Sequence, residues 1–542
     1  MHRALALEDI LDGVCAQLQQ QEAGRTLASL AVACTYFLLP ALRALWRDAL
    51  GVRQYEALMP PWAREHLKLV GGPSPAQLWA LADRYCSSLS LSLSRSAVHS
   101  ALAAASDQRT LPASPPPGAE PSDWARFHFY AALVRTLNAD PQTRRYAFRL
   151  PNTHILRVLT LSGRTPVFPR LESFNMFIED NRGLACLPSF LSGELTRLEL
   201  HTGHQVTLGA YCTLLAQLGK LAPALRTFKV TGPLFTEPEL QHALLSAVGS
   251  LPTLRTLALE GVPMPQFFAL LAPTAVRALT LDLSWFYLPN VEDTPSLHPC
   301  TLPNLNTLRF TCPSAAYALR VFSSISLPTL EHLSFKLSQQ QTPVTEFSHL
   351  LELLARAPRM RTLRLTLSAL NLSHQPAEAY LALCALRELE ELELALPEKG
   401  SPLPFDGLAL GDVQLARLTS AWRRLRRLRV APRHGGSPEH RPRLTLRGVA
   451  ALAEACAELE EVEVHVDLSQ IPGTPEAADG AAQPRTCMRR LRLGKESVLD
   501  EDSAEEVSEV LRAMWPAAQL EADEGRLTAG LVRFCKVHNA RR

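Results

Sequence analysis

Apolar residues recur along most of this chain in a six-residue pattern, L-x-x-L-x-L, in which Val, Met or Phe can replace Leu. Copies begin at residues 156, 171, 195, 225, 254, 276, 305, 330, 360, 389, 425, 459 and 488. Because side chains alternate between the two faces of a strand, the fourth and sixth positions share one face and the third and fifth share the other. Each copy therefore predicts a strand with one buried face and one open face.

Helical patterns fill the intervals between these strands. One follows Thr445, which is placed to cap it, and another follows Thr236, with Glu239 placed to complete a capping box. The copies recur about every 28 residues, a period typical of leucine-rich repeats. One strand–turn–helix unit cannot bury its own apolar face, so neighbouring units must stack. The pattern predicts an irregular leucine-rich-repeat solenoid over residues 151–525, with a parallel sheet on the concave side and helices on the convex side.

The region before the repeats has helical periodicity instead. Two patterns, Leu7–Leu18 and Thr26–Leu39, are followed by a third that ends at Leu45 and Trp46. These patterns predict a small helical module over residues 1–50. The predicted fold class is therefore α/β, with this module joined to the solenoid.

Residues 51–150 are predicted to form a helical linker and N-terminal cap. Within them, the Pro-rich segment 106–122 is predicted to be a loop, because Pro interrupts helices and inner strands. Asp123 then begins DWARFHFYAALVRTL, whose amphipathic pattern predicts a helix that covers the first repeat. Residues 526–542 are predicted to be a C-terminal tail.

Composition narrows the possible partners and compartments. Lys and Arg number 55 against 53 Asp and Glu, a net charge of +2, so no overall field attracts nucleic acid or a membrane. The 11 cysteines stand singly without a CxxC pair, which favours free, buried thiols over zinc sites or disulfides. At the N-terminus, Glu8, Asp9 and Asp12 appear before any apolar stretch reaches the length of a signal peptide, and no window approaches 18 consecutive apolar residues. We therefore expect a cytoplasmic or nuclear protein.

The sequence lacks the common catalytic motifs. The chain has no GxSxG, no GxxxxGK[ST], and no GxGxxG after a strand. His201 and His204 lie close together, but a structural metal needs about four ligands and no further ligand is near. We interpret these two as exposed loop histidines. No catalytic residue, metal or cofactor is predicted, and an enzyme is the least favoured class.

Charged residues alternate in sign on the open face of the C-terminal strands. Successive strands carry Glu391 and Glu393, then Arg427 and Arg429, then Glu461 and Glu463, then Arg490 and Arg492. Parallel strands lie about 4.8 Å apart, so opposite charges should face each other and neutralise. Selective contact with a charged protein partner, or with nucleic acid, stays open as an alternative. These eight residues are candidate substrate-binding residues, together with the Pro- and Gly-rich segments that follow the strands at 389, 425 and 459.

The N-terminal module resembles an F-box. The family pattern begins L-P-x-E-I-L, continues through V-C-x-x-[WF] and closes with L-W. Ala6 stands where the family usually has Pro. The matching residues are Leu5, Leu7, Glu8, Ile10, Leu11, Leu27, Leu30, Val32, Cys34, Phe37, Leu45 and Trp46. The order of F-box, DWARFHFYAALVRTL and repeats is similar to that of fungal F-box/leucine-rich-repeat proteins.

The resemblance implies a function. Such proteins are non-catalytic substrate receptors of SCF-type ubiquitin ligases, in which the F-box docks on a Skp-type adaptor, and through it on a cullin, while the repeats hold a protein substrate. It implies adaptor contacts at Leu5, Leu7, Ile10 and Leu11, with Trp46 packing the closing turn. The residues by themselves leave two alternatives open. The N-terminal leucines could be internal core, and the solenoid could be an interaction scaffold without a ligase.

Overall fold

The structure is a computed structural model. It describes residues 8–20, 40–45, 48–49, 58–61, 63–64, 121–138, 157–232, 237–261, 266–284, 297–337, 343–367, 377–395, 411–431, 443–469, 487–493, 497, 504–515, 517–522, 534–535 and 539.

Strands alternate with helices along most of this length. The strands are β1 (Asp48–Ala49), β2 (Thr136–Asn138), β3 (Ser173–Asp180), β4 (Arg197–Gln205), β5 (Thr227–Thr231), β6 (Thr256–Glu260), β7 (Ala278–Asp282), β8 (Cys300–Thr301), β9 (Thr307–Cys312), β10 (Ile325–Ser326), β11 (His332–Leu337), β12 (Thr362–Thr366), β13 (Glu391–Ala395), β14 (Arg427–Ala431), β15 (Glu461–Val464), β16 (Arg490–Leu493) and β17 (Gln519–Ala522).

The helices occupy the intervals. They are α1 (Glu8–Gln20), α2 (Ala125–Ala131), α3 (Asn181–Cys186), α4 (Leu208–Leu221), α5 (Pro238–Gly249), α6 (Phe267–Leu271), α7 (Ala315–Ser324), α8 (Val344–Leu354), α9 (Asp412–Ala421), α10 (Leu446–Ala455) and α11 (Ala504–Met514). Short 3-10 helices cover Pro121–Trp124, Leu187–Ser189 and Ala377–Ala385. None of the described helices is both long and apolar enough to cross a membrane.

The chain divides into two compact units, Met1–Ala258 and Leu259–Arg542. In the first unit, β1 to β5 form a parallel sheet in chain order. In the second unit, β7, β9 and β11 to β17 form a parallel sheet in chain order. The strands β8 and β10 pair separately, also in parallel.

The repeats stack through one backbone pattern. The N–H groups of Arg361 and Thr362 both donate to the carbonyl oxygen of Glu331, at 2.8 and 2.9 Å. One repeat later, Glu390 and Glu391 donate in the same way to the carbonyl of Arg361, at 2.8 and 2.9 Å. Because each repeat offers the next the same acceptor, the strands enter the sheet in one register.

As the repeat pattern predicts, one face of the sheet is buried and the other is partly exposed. On β13, Leu392 and Leu394 are 3% and 1% exposed, whereas the Glu391 and Glu393 side chains are 30% and 24% exposed. The helices also bury leucine and phenylalanine side chains. In α8, for example, Phe347 and Leu351 are buried. Parallel strands with helices over their apolar face confirm the α/β, solenoid-type fold class.

Twelve of the thirteen hexads contain a strand, and the hexad at residue 156 does not. Residues 157–160 are helical, and the adjacent Val158 and Leu159 are both buried. Two buried neighbours do not fit the alternation of a strand, and Thr160 Oγ1 donates to the carbonyl of Arg157, at 2.6 Å, within the helical turn. The last strand, β17, has no hexad because Ala517 and Ala522 stand at two of its apolar positions.

The sheet begins before the predicted start of the solenoid at residue 151. Both β1 and β2 precede that point, and β2 pairs with β3. The helix predicted from Asp123 is shorter than its pattern, because α2 ends at Ala131 and β2 begins at Thr136. Only the last apolar residue of that pattern, Leu137, belongs to the sheet.

An aromatic cluster joins α2 to the first long strand. Ring centroids lie 5.4 Å apart between Trp124 and Phe127, 6.0 Å between Phe127 and Phe168, and 5.9 Å between Phe168 and Phe190. Phe190 also lies 5.9 Å from Phe174 of β3. All five rings are buried. Aromatic packing of this kind stabilises the N-terminal end of the sheet beyond simple burial.

One of the two predicted caps is present. Thr445 accepts the N–H of Arg447 at the start of α10. In α5, by contrast, Glu237 is the N-cap residue, and Thr236 lies outside the described residues.

Candidate interaction surfaces

Two rows of polar residues cross the open face of strands β12 to β17. The first row consists of Thr362, Glu391, Arg427, Glu461, Arg490 and Gln519, in strand order. The second row consists of Arg364, Glu393, Arg429, Glu463, Arg492 and Glu521. All eight charged residues predicted from the sequence lie in these rows.

The second row is a continuous chain of ion pairs. Arg429 joins Glu393 on one side, at 3.4 Å, and Glu463 on the other, at 2.9 Å. Arg492 then joins Glu463 at 3.5 Å and Glu521 at 2.8 Å. The hydrogen bond to Glu521 raises the pKa of the Arg492 guanidinium, with the Glu463 charge adding to the effect. Each inner carboxylate is therefore shared between two arginines.

The first row is paired more loosely. Arg427 lies 3.1 Å from Glu391 and 3.8 Å from Glu461, and Arg490 lies 3.8 Å from Glu461. On its other side, Arg490 faces the uncharged Gln519. This row ends without a carboxylate at β17.

Arg364 links the two rows at their other end, 3.8 Å from Glu391 and 3.5 Å from Glu393. The predicted mutual neutralisation is confirmed. Sequence reasoning missed Arg364, although it is the fifth residue of the Met360 hexad. It also missed Glu521, because β17 carries no hexad. Whether the eight predicted residues also contact a substrate stays a prediction. The loop segments named with them lie mostly outside the described residues, over 396–410, 432–442 and 470–486.

The N-terminal helices pack as one module. Cys15 of α1 forms a buried cluster with Ala41 and Ala44 of the helical residues 40–45. Across the same contact, Arg43 Nη1 lies 3.1 Å from Asp12 Oδ2. The two helical patterns predicted at either end of residues 7–46 therefore meet in the folded chain.

The predicted adaptor contacts are only partly described. Leu5, Leu7 and Trp46 lie outside the described residues, and Ile10 lies in α1 with its side chain outside them. Leu11 is 2% exposed and thus faces the interior of the chain. Val14, three residues further along α1, is 44% exposed. Sequence reasoning missed Val14, because helical spacing places it on the same side of α1 as Leu11, and only the packing of the helix shows that it is exposed.

The interpretation of His201 as an exposed loop residue is wrong. His201 lies on β4, is 7% exposed, and its Nδ1 lies 2.6 Å from Thr231 Oγ1 on β5. The strand continues past the hexad, so the ring is held between neighbouring strands. The side chain of His204 is not described. Within the described ranges, no group of three or more His, Cys, Asp and Glu side chains could hold a metal ion.

The described cysteines are free thiols, as predicted, but they are not all buried. Burial raises the pKa of Cys312 and of Cys456 to about 12. Cys487, by contrast, is exposed. Cys34 and Cys86 lie outside the described residues.

Comparisons with known proteins do not assign the chain to a family. No family model matches the chain, and no curated protein matches it. Among solved structures, a protein from Bacteroides fragilis has 10% sequence identity and a TM-score of 0.27, covering 56% of this chain and 67% of its own. A complex of Rad7 and Elc1 from yeast has 16% identity and a TM-score of 0.27, covering 50% of this chain and 72% of its own. Both scores are low, so the fold assignment rests on the sheet itself.

Proposed function

We propose that this protein is the substrate-recognition subunit of an SCF-type ubiquitin ligase. The N-terminal module docks on a Skp-type adaptor, which connects it to a cullin, and the leucine-rich repeats bind a protein substrate. The proposal rests on the F-box resemblance of residues 5–46. It is a non-catalytic role, in which the chain brings two other proteins together.

The observation that carries the proposal is the packing of α1 on residues 40–45. An F-box needs its first and last helical segments to form one module, and the cluster of Cys15, Ala41 and Ala44 supplies that contact. A module of about 50 residues buries little apolar surface by itself and gains from a partner that covers it. The exposed Val14 extends the apolar surface available to an adaptor, while Leu11 supports α1 from inside.

The repeats supply the second half of the proposal. Their strands leave one face without helices, and that face carries polar and charged side chains, as Glu391 and Arg427 do. A polar, charged face suits recognition of a folded protein or an extended segment of one. An interaction scaffold without a ligase would use the same face. Binding of a Skp-type adaptor therefore distinguishes the two functions.

Adaptor pull-down from purified components tests the proposal. We expect the wild-type chain to retain a Skp-type adaptor, and the Leu5→Ala/Leu7→Ala variant to bind at least tenfold more weakly, because central apolar anchors contribute about 1.4 kcal/mol or more. Val344→Ala, which removes an apolar side chain that is 44% exposed on α8, is the matched control and should bind like the wild type. Circular dichroism checks that all three chains are folded.

A folded wild-type chain that retains no Skp-type adaptor would exclude the ligase function and leave the scaffold. The substrate arm needs a second experiment, affinity purification from cells with and without proteasome inhibition. A ligase receptor should recover more of its substrates when the proteasome is blocked. A scaffold should recover the same partners in both conditions.

A further inference from the structure

Among the described strands, β17 is the terminal strand of the sheet in the second unit. Its inner edge pairs in parallel with β16, and Gln519 N–H donates to the carbonyl of Arg489, at 2.7 Å. No strand among the described residues pairs with its outer edge. Because neighbouring residues in a strand direct their backbone groups to opposite edges, the N–H and C=O of Leu520 point outward. Unpaired groups of this kind are a template for another strand.

The side chain of Asn539 occupies this edge. Its Nδ2 donates to the carbonyl oxygen of Leu520, at 2.7 Å, and its Oδ1 accepts the Leu520 N–H, at 3.2 Å. A primary amide that makes both bonds to one residue reproduces the pair of bonds that a neighbouring strand would make. Phe534 and Cys535 of the region predicted to be a tail are each 5% exposed, so these two residues are packed.

We propose that Asn539 is an edge cap that prevents the β17 strands of two copies of this chain from pairing. In the pairing that it prevents, Leu520 of one copy exchanges both backbone bonds with Leu520 of the second copy across a two-fold axis. Such a contact is antiparallel and self-complementary. The Asn539 amide stands in the place of the second copy's peptide group.

Charge and burial on β17 are compatible with that pairing. With Leu520 on the axis, Gln519 lies opposite Glu521 of the second copy, so no like charges meet. Leu520 is 2% exposed and lies on the apolar face of the sheet. In the pair, the apolar faces of the two copies would lie side by side and form one continuous apolar face. Among the described residues, Asn539 is the group that stands in the way of a second copy at Leu520.

Backbone amide exchange tests the cap directly. In Asn539→Ala, at a concentration that keeps the protein monomeric, we expect Leu520 N–H to exchange at least tenfold faster than in the wild type. The N–H of Gln519, which bonds inward to Arg489, is the internal control and should keep its protection. If Leu520 exchanges at the wild-type rate, Asn539 does not cap the edge and the proposal fails.

Sedimentation across a concentration series tests the second copy. We expect Asn539→Ala to self-associate at least tenfold more tightly than the wild type. Two substitutions at Gln519 in that background give opposite predictions. Gln519→Lys places a cation opposite Glu521 of the second copy and should strengthen association, whereas Gln519→Glu places like charges together and should weaken it.

The two Gln519 variants also have opposite effects inside one chain, which separates pairing from misfolding. Within the monomer, Gln519→Glu gives Arg490 a second carboxylate, and Gln519→Lys gives it a like-charged neighbour. If association came from general destabilisation, the Gln519→Lys variant would aggregate because it unfolds. Its melting temperature would then be lower and its aggregates irregular. A discrete dimer whose affinity follows the sign of residue 519 supports the proposal. A monomeric Asn539→Ala, or association that ignores residue 519, overturns it.

Discussion

At the scale of single residues, the close approach of α9 and α10 depends on Gly448. A Cβ at this position would lie 2.6 Å from Leu444 Cδ1 and against the carboxylate of Asp412. That carboxylate accepts two hydrogen bonds from Thr445, one from its N–H at 2.8 Å and one from its hydroxyl at 2.6 Å. Gly448 thus leaves room for the Asp412 side chain, which links α9 to Thr445, the N-cap residue of α10.

We expect Gly448→Ala to lower the free energy of unfolding by about 1–3 kcal/mol, because an overpacked contact must shift. The matched control is Gly249→Ala at the end of α5, where a Cβ meets no atom within 4 Å. Denaturant unfolding measures both. Equal stabilities of the two variants would show that the α9–α10 contact tolerates the methyl group.

Buried thiols make stability depend on pH. Burial raises the pKa of Cys312 to about 12, while an unfolded thiol ionises near 8.5. The stabilisation by the neutral thiol is complete below the unfolded pKa and is lost as pH rises toward the folded one. Between pH 8 and 10 this one group should reduce stability by about 2 kcal/mol.

Denaturant unfolding at pH 8 and 10 checks this expectation. Cys312→Ala should lose less stability over that interval than the wild type does, whatever its stability at pH 8. Cys487→Ala, which removes an exposed thiol, is the control and should follow the wild type. The same pH slope in all three chains would contradict the assignment to Cys312.

At the scale of elements, the charge rows link the six strands β12 to β17 by side chains as well as by backbone. Glu461 joins Arg427 and Arg490, and Glu463 joins Arg429 and Arg492. Removing both carboxylates from β15 thus removes four ion pairs. Exposed pairs contribute about 0.2–1 kcal/mol each, so the sum is about 1–4 kcal/mol.

Reversing the β15 charges should cost more than removing them. Glu461→Arg/Glu463→Arg places like charges opposite β14 and β16, so its melting temperature should fall below that of Glu461→Gln/Glu463→Gln. The difference should shrink at high salt, which screens exposed charges. If the two variants melt together at low salt, the rows do not stabilise the sheet.

At the scale of the whole molecule, positive and negative charges are nearly equal in number, and on the described C-terminal strands they also alternate in space. The net charge is +2, and the basic strands β14 and β16 lie beside acidic strands rather than together. Their guanidinium groups are already bonded to carboxylates, as Arg429 is to Glu463 at 2.9 Å. Phosphates would have to displace those partners.

We therefore expect only weak binding to DNA or RNA, no tighter than the non-specific range of about 10⁻⁴–10⁻⁶ M near physiological salt. Fluorescence anisotropy with a labelled duplex and a labelled single strand measures this across a salt series. Binding in the nanomolar range, with a steep dependence on salt, would restore the nucleic-acid alternative.

The sequence by itself determined the strands and their charge pattern. Alternation of leucines is local information, so the hexads placed twelve strands, and equal hexads implied equal register, which brought Arg429 between Glu393 and Glu463. Features that depend on distant parts of the chain were decided only by the tertiary structure. Leu11 faces inward because α1 packs on residues 40–45, and β2 joins the sheet because β3 offers it an edge. Asn539 acts on Leu520 across 19 residues, a contact that no local pattern encodes.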